Sequence, residues 1–148
     1  ILLSDPRPPV LERGRVAWTW KPLAVDRMQA AARDLLGEHD FSAFRAVACQ
    51  AKQPVRTIHH LEVSGDAGYV YIDVEANAFL HHMVRNIAGV LLAIGAGERP
   101  TGWAAQVLAG RDRTRGGVTA PAAGLYLVGV RYPSHFGVPA LGRLPRFA

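Results

Sequence analysis

The sequence predicts an α+β fold in which helices pack on one face of a mixed, mainly antiparallel sheet. Apolar and polar side chains alternate in residues 69–76, and the "GDAG" that precedes them is typical of a hairpin turn. Two further stretches, residues 24–37 and 79–96, have apolar side chains at helical spacing. No repeat or linker divides the chain, so residues 1–148 are expected to form one domain.

The elements at the start of the chain follow from proline content and apolar spacing. Residues 1–14 are expected to be an extended lead-in, because three prolines stiffen them. Residues 15–20 have the composition of a strand. Residues 24–37 are predicted to form a helix that ends at Gly37. Its apolar side consists of Val25, Met28, Ala32 and Leu35.

The middle of the chain is predicted to be a loop followed by a hairpin. Residues 38–55 have no regular pattern and are expected to form a loop. Residues 56–64 and 69–76 are predicted to be the two hairpin strands. The apolar face of the second strand consists of Val70, Ile72 and Val74.

Two helices and a last strand are predicted for the rest of the chain. Residues 79–96 form the longest apolar run, and residues 100–110 begin with a proline that can start a second helix. The basic residues 111–117 are expected to form a loop, and residues 123–133 a strand. Residues 134–148 are expected to be an irregular tail.

Composition limits the classes of protein to consider. The formal charge of +5 and the pI of about 10.0 favour an anionic partner such as nucleic acid. A single cysteine, Cys49, excludes an internal disulfide and fits a cytoplasmic protein. No membrane span is expected, because Arg85 interrupts the longest apolar run and would cost at least about 2.5–3.5 kcal/mol in lipid. The chain begins at Ile1 without a signal peptide pattern, so we expect a piece of a longer protein.

Arg85 is the most unusual residue of the predicted helix 79–96. An arginine in an apolar run requires a partner or a route to solvent. One interpretation is structural: Arg85 pairs with Asp73 or Glu75, or its side chain extends to water. The other is functional: its guanidinium holds a carboxylate in an active-site cleft. The pattern alone leaves both open.

A metal site is not expected at the histidines of this helix. Adjacent residues on a helix point about 100° apart, so His81 and His82 are predicted to face different directions. Arg111, Arg113 and Arg115 surround two glycines, which suits either phosphate contacts or a solvated loop. No acidic residue lies in a nucleophile motif, so the residues by themselves predict a basic α+β domain with one unusual arginine.

Four segments add a resemblance. They are "GEHDFSAFRA" (37–46), "PVRTI" (54–58), "NAFLHHMVRNIAGVLLAIGAGERP" (77–100) and "TAPAAGLYLVGVRYP" (119–133). In this order and spacing they closely resemble the C-terminal half of the tRNA pseudouridine synthase A family. The resemblance implies a pseudouridine synthase-like fold and the isomerisation of uridine to pseudouridine in the anticodon stem-loop of tRNA.

The resemblance also implies roles for particular residues. In this family the arginine of the "HHMVRN" motif pairs with the catalytic aspartate, and that role falls on Arg85. Leu125, in "GLYL", corresponds to an apolar residue that packs near the target base. His81, His82 and Tyr126 are expected to line the active site. The residues expected to contact RNA are Arg45, Lys52, Arg56, Arg111, Arg113 and Arg115.

The family's nucleophile lies in a "GRTDxGVHA" motif that this sequence does not contain. The similar stretch 112–120 has Arg115 where the family has its aspartate, so we expect this chain to supply one wall of the site. No metal or cofactor is implied, and the expected partners are tRNA and a second copy in a homodimer. Two alternatives remain: a non-catalytic RNA-binding module of the same fold, and a domain that serves only for dimerisation.

Overall fold

Five strands form one mixed sheet in the computed structural model of the chain, which describes residues 1–138. The strands are β1 (Leu2–Ser4), β2 (Ala17–Thr19), β3 (Gly37–Asp40), β4 (Val55–Asp66) and β5 (Tyr69–Ala76). Their order across the sheet is β2-β1-β5-β4-β3. β1 and β2 are parallel, whereas the other three neighbouring pairs are antiparallel. The predicted fold class is confirmed.

The hairpin of β4 and β5 forms at the predicted place. Asp66 pairs with Tyr69, and a two-residue turn of Ala67 and Gly68 joins the strands. The φ angles of these two residues are 48° and 86°. Positive φ at both central positions gives a turn whose twist matches that of the strands, and glycine adopts it at little cost.

The hairpin presents an apolar face to the core. Ile58, Leu61 and Val63 of β4 are buried, and the register of the strand shifts after Ile58. An extra residue at such a bulge lets side chains three apart face the same side. Leu61 pairs with Val74, and Val63 pairs with Ile72, so the predicted apolar face of β5 packs on the same core.

Three α-helices complete the core: α1 (Val25–Ala32), α2 (Met83–Gly95) and α3 (Trp103–Gly110). The short 3₁₀ helices are Arg33–Leu35, Ser42–Phe44, Arg113–Arg115 and Ser134–Phe136. α1 packs on β4 and on α2, and the predicted residues Met28, Ala32 and Leu35 are fully buried. The α-helix ends before the predicted Gly37 because the next turn tightens into a 3₁₀ helix.

α2 begins at Met83, four residues later than predicted. His82 has φ 61° and ψ 8°, which is left-handed backbone and cannot continue a right-handed helix. Residues 79–82 therefore lead into α2 instead of belonging to it. Among residues 1–138, no helix combines the length and apolar character needed to cross a membrane.

The strand predicted for residues 123–133 is wrong. These residues pair with no other strand of the described chain, and the side chain of Leu127 is 80% exposed. Contacts with the rest of the chain hold them. The Ile1 amino group donates to the Gly124 carbonyl at 2.8 Å, the Tyr126 hydroxyl donates to the Arg15 carbonyl at 2.8 Å, and Arg131 pairs with Glu75 at 3.0 Å. High strand propensity produces a ladder only where a partner strand is available.

Two short strands lie where none was predicted. β1 falls within the expected lead-in 1–14, and β3 begins at Gly37, the expected helix end, and continues into the expected loop 38–55. Each pairs along one side with a strand of the hairpin. Of the expected tail 134–148, residues 139–148 lie outside the described residues.

The segment 117–120 packs directly on α2. A Cβ atom added to Gly89 would lie 1.9 Å from the Val118 carbonyl oxygen, so only glycine permits this approach. The Ala120 amide donates to the Arg85 carbonyl at 3.1 Å, which joins the segment to the first turn of the helix. This contact brings the segment beside the side chains of that turn.

We predict that Gly89→Ala lowers the free energy of unfolding by about 1–3 kcal/mol, as overpacking against rigid backbone does. The loss should appear despite the helix propensity of alanine, which favours the substitution by about 1 kcal/mol. Urea denaturation measures the change. Gly110→Ala is the matched control, because Gly110 also lies in a helix but has open space beside it. Equal stability of the two variants would contradict the packing argument.

Candidate active site around Arg85

The Arg85 side chain is held on two sides by the chain's own groups. Its Nε donates to the Ala120 carbonyl at 2.8 Å, and its Nη1 lies 3.2 Å from His82 Nε2. The residue is partly buried in the first turn of α2. Because each contact fixes a different nitrogen, the plane of the guanidinium is oriented before any ligand arrives.

The ion pair expected under the structural interpretation of Arg85 is absent among the described residues. Glu75 pairs with Arg131 at 3.0 Å, and no ion pair within residues 1–138 includes Arg85. The side chain is partly buried, and a backbone carbonyl accepts from its Nε. The guanidinium is thus positioned by neutral groups, which do not neutralise its charge.

His81 and His82 lie together rather than apart, which corrects the prediction. Their ring centroids are 4.0 Å apart and the rings are tilted by 36°. Both residues precede α2, so the 100° rule for adjacent helical residues does not apply to them. Within residues 1–138, no three side chains of the metal-binding types come together.

His82 is surrounded by cationic groups. Its pKa is lowered from the usual value, first by desolvation and then by the charges of His81, Arg85 and Arg113. A neutral imidazole can accept a hydrogen bond on one nitrogen, whereas an imidazolium cannot. The environment therefore favours the form of His82 that can accept from Arg85.

A loop ties the residues before α2 to the rest of the chain. The Ala46 amide donates to the His81 carbonyl at 3.0 Å, and the His81 amide donates to Cys49 Sγ at 3.4 Å. This amide is the largest of the causes that lower the pKa of the Cys49 thiol. These two hydrogen bonds fix the backbone of the segment that contains the histidines.

Arg113 is the centre of a network beneath Arg85. Its Nη2 donates to Asn86 Oδ1 at 3.0 Å and to Thr119 Oγ1 at 2.8 Å, and its Nη1 donates to the Gly117 carbonyl at 3.0 Å. Thr119 Oγ1 donates to Asn86 Oδ1 at 2.7 Å. The Asn86 side chain amide donates to the Phe44 carbonyl at 2.7 Å. The network joins α2 to the segment 117–120 and to the 3₁₀ helix that contains Phe44.

Sequence reasoning missed Asn86 and Thr119 and placed Arg113 on the surface. Asn86 is 2% exposed, the only buried polar residue of the described chain. The signal was present, because an asparagine inside an apolar run needs hydrogen-bond partners as much as an arginine does. The partners themselves lie 27 and 33 residues away, and no local pattern identifies them.

Three of the predicted RNA-binding residues lie on the loop before β4 or at its start. Lys52 is exposed. Arg45 donates from Nη2 to the Cys49 carbonyl at 2.8 Å, and Arg56 donates from Nη1 to the Val55 carbonyl at 2.6 Å. Backbone carbonyls therefore orient the two arginines without cancelling their charge.

Arg111 and Arg115 remain on the surface. The Arg111 side chain is 68% exposed with its Nε 3.5 Å from Asp40, and the Arg115 side chain is 79% exposed with its Nε 4.0 Å from Asp112. Exposed pairs of this kind contribute about 0–1 kcal/mol and exchange readily for other anions.

Leu125 and Tyr126 follow the segment that contacts Arg85. Gly124, with φ 83°, precedes them, and an added Cβ there would lie 2.2 Å from the Ile1 carbonyl oxygen. Leu125 is 49% exposed and Tyr126 40% exposed. The tight turn therefore presents a partly exposed apolar and aromatic pair five and six residues after the carbonyl that holds Arg85.

Comparison with known proteins decides the family. A family model described as tRNA pseudouridine synthase matches residues 31–133. The chain belongs to the tRNA pseudouridine synthase family. The match includes α2, the network beneath it and the "GLYL" stretch, so the resemblance drawn from the sequence is confirmed.

Similar family members are named tRNA pseudouridine synthase A. The protein of Nitrosococcus oceani is 57% identical over 143 residues, 97% of this chain and 55% of that protein. The protein of Pseudomonas aeruginosa is 52% identical over 99% of this chain and 51% of its own length. The Klebsiella pneumoniae protein is 51% identical over 95% of this chain and 52% of its own length. The chain spans about half the length of these relatives.

We predict that Arg113→Ala lowers the free energy of unfolding by about 2–3 kcal/mol, because it removes charge-assisted hydrogen bonds from a partly buried network. Arg115→Ala is the control two residues away, and should change stability by no more than about 0.5 kcal/mol. Urea denaturation of both variants measures the difference. A similar loss for the two would mean that the network does not stabilise the fold.

Proposed function

We propose that this chain forms one wall of the active site of a tRNA pseudouridine synthase. In this proposal Arg85 binds the carboxylate of a nucleophilic aspartate contributed by a segment outside this sequence. The supporting observation is that neutral groups orient the Arg85 guanidinium while leaving its charge unpaired within residues 1–138. The relatives are about twice as long as the chain, which is consistent with a catalytic segment elsewhere.

An arginine suits this task for a physical reason. A planar guanidinium donates two parallel hydrogen bonds to a carboxylate and stabilises its ionised form. A cation this close lowers the pKa of an aspartate by about 1–3 units, so the nucleophile stays charged at neutral pH. The pair also restricts the rotation of the carboxylate, which keeps its attacking oxygen in one place.

The proposed reaction is an isomerisation and needs no oxidant or reductant. The bond between uracil N1 and ribose C1′ breaks, the uracil turns, and a bond between C5 and C1′ forms. The proton of C5 passes to solvent and N1 takes up a proton, so the product is an isomer of uridine and the aspartate is regenerated. The target base must leave the helical stack to reach the aspartate, and Leu125 and Tyr126 would form part of the pocket that receives it.

We propose that tRNA binds through its phosphates at exposed and partly exposed basic residues and presents its anticodon arm. Arg45, Lys52, Arg56, Arg111 and Arg115 are the candidates. Arg113 is reassigned to positioning, because its guanidinium donates to three groups of the chain itself. We also propose that the protein is a cytoplasmic homodimer in which both copies contact the tRNA.

We expect Arg85→Ala in a protein of the relatives' full length to lower turnover by about 10²–10³, as removal of one electrostatic group in an active site does. The affinity for tRNA should change little, because Arg85 is partly buried and contacts the nucleophile instead of the phosphates. Tritium release from tRNA that carries 5-tritiated uridine measures turnover, and filter binding measures affinity.

Arg33→Ala is the control for this experiment, since Arg33 is an exposed arginine outside the proposed site. Full activity of Arg85→Ala would contradict its role. Residues 1–148 alone should release no tritium. Release by this chain alone would mean that it contains a nucleophile, with Asp40 and Asp73 as the first candidates. Binding without release by the full-length protein would instead favour a non-catalytic RNA-binding module.

We expect the double variant Arg111→Gln, Arg115→Gln to weaken the salt dependence of tRNA binding. Each lost phosphate contact should lower the slope of log K against log salt by about one unit. The double variant Arg27→Gln, Arg33→Gln removes the same net charge from another exposed surface and should leave the slope unchanged. Equal effects of the two double variants would contradict a local contact.

A further inference from the structure

We propose that His82 is a positioning residue for Arg85: its neutral ring accepts a hydrogen bond that turns one edge of the guanidinium toward the nucleophile. The inference rests on the proposed function, because it concerns how Arg85 performs that role. Three observations support it: the backbone conformation of His82, the hydrogen bonds that the Arg85 nitrogens already donate, and the charges around the His82 ring.

The backbone of His82 is strained at the entrance to α2. Among residues 1–138, three non-glycine residues have positive φ: Ala67, His82 and Arg111. Ala67 lies in the hairpin turn and Arg111 ends α3, where left-handed backbone is common. His82 instead precedes a helix, where the usual residue is extended. Strain of this kind persists where surrounding contacts enforce it, and it clusters at functional sites.

The strained conformation is what brings the ring to Arg85. The two residues are three apart, and His82 Nε2 lies 3.2 Å from Arg85 Nη1. An arginine has only donors, so the bond exists only when Nε2 is unprotonated. The ring must then be neutral with its proton on Nδ1. The contact therefore specifies both the charge and the tautomer of His82.

The Arg85 nitrogens that already donate hydrogen bonds leave one edge of the guanidinium free to bind a carboxylate. A guanidinium can bind two carboxylate oxygens along its Nε–Nη2 edge or along its Nη1–Nη2 edge. The Ala120 carbonyl occupies Nε at 2.8 Å, which removes the first edge. Nη1 has two N–H groups, so one can donate to His82 and the other to the ligand. His82 and Ala120 together thus select the Nη1–Nη2 edge.

The charges that face His82 act against its protonation. Desolvation is the largest effect in the same direction, and the charges come from His81 on the same segment, Arg85 on α2 and Arg113 on the 3₁₀ helix after α3. The Cys49 thiol, which accepts from the His81 amide, is the nearby group of the packed loop. The carboxylate bound by Arg85 would act in the opposite direction.

Protonation of His82 would remove the acceptor and place a further cation beside Arg85. The orientation of the guanidinium is then lost as the pH falls through the pKa of His82, which lies below its usual value of about 6.5. Turnover should be fully supported above that pH and should decline below it.

The test measures tritium release by the full-length protein between pH 5 and 9 for two variants. His82→Asn keeps a residue that tolerates left-handed backbone but is too short to reach Arg85. It should lower kcat by about tenfold to a hundredfold at pH 8, the effect of one hydrogen bond to a charged group, with an unchanged KM for tRNA. His82→Gln provides an acceptor that does not titrate. It should keep kcat within about twofold of wild type, and its acid limb should move to lower pH.

His59→Gln, an exposed histidine on β4, is the matched control and should keep the wild-type profile. A wild-type kcat for His82→Asn, or an unchanged acid limb for His82→Gln, would overturn the inference. The ¹⁵N chemical shifts of the His82 ring at pH 8 provide an independent test. A proton on Nε2 would also overturn it. Failure of the proposed function looks different: either the wild type releases no tritium or Arg85→Ala stays fully active.

Discussion

The close approach of residues 117–120 to α2 is the contact on which the site depends. Gly89 allows the Val118 carbonyl to lie where a side chain would otherwise be. Two hydrogen bonds then connect Ala120 and Arg85: amide to carbonyl at 3.1 Å, and Nε to carbonyl at 2.8 Å. The same residue thus satisfies the backbone and the side chain of Arg85. Any shift of this segment along the helix would change the direction of the guanidinium.

The polar network beneath Arg85 is the second part of this arrangement. Asn86 is buried in a helix whose other buried residues are apolar or glycine, so each of its polar atoms must find a partner. Its amide donates to the Phe44 carbonyl, and its oxygen accepts from Arg113 and Thr119. A fully satisfied buried network specifies one arrangement, because alternatives leave polar groups without partners. Three separate stretches of chain are therefore held in fixed relation around α2.

Much of the fold could be predicted from the sequence, where local pattern and tertiary packing agree. The hairpin followed from alternation and a glycine turn, and the buried side of α1 followed from helical spacing. The start of α2 could not be predicted, because the left-handed conformation of His82 depends on contacts outside its own segment. β1 and β3 are short strands that exist because the hairpin offers them edges. For residues 123–133 the prediction failed in the opposite direction. They have high strand propensity, but no partner strand lies beside them among the described residues.

The site, like the fold, could be predicted from the sequence only in part. Arg85 stood out because a charge interrupted an apolar run. Its partners were not predicted, because one is a backbone carbonyl 35 residues away and the other, His82, lies on left-handed backbone before the helix. Arg113 was indistinguishable from Arg111 and Arg115 in a basic loop. Its separate position follows from the packing of Gly117 on Gly89, which brings only Arg113 toward Asn86.

The charge around Arg85 connects stability with the proposed function. Arg85, Arg113 and two histidines lie close together, and within residues 1–138 the guanidinium groups donate to neutral acceptors. Such a concentration of one sign opposes folding through mutual repulsion, and keeping His82 neutral reduces that cost. It also creates a field that an anion entering the site would stabilise without rearrangement of the protein. The histidine then has two effects with one cause: its neutrality limits repulsion in the folded chain, and the lone pair that this neutrality leaves on Nε2 orients the arginine.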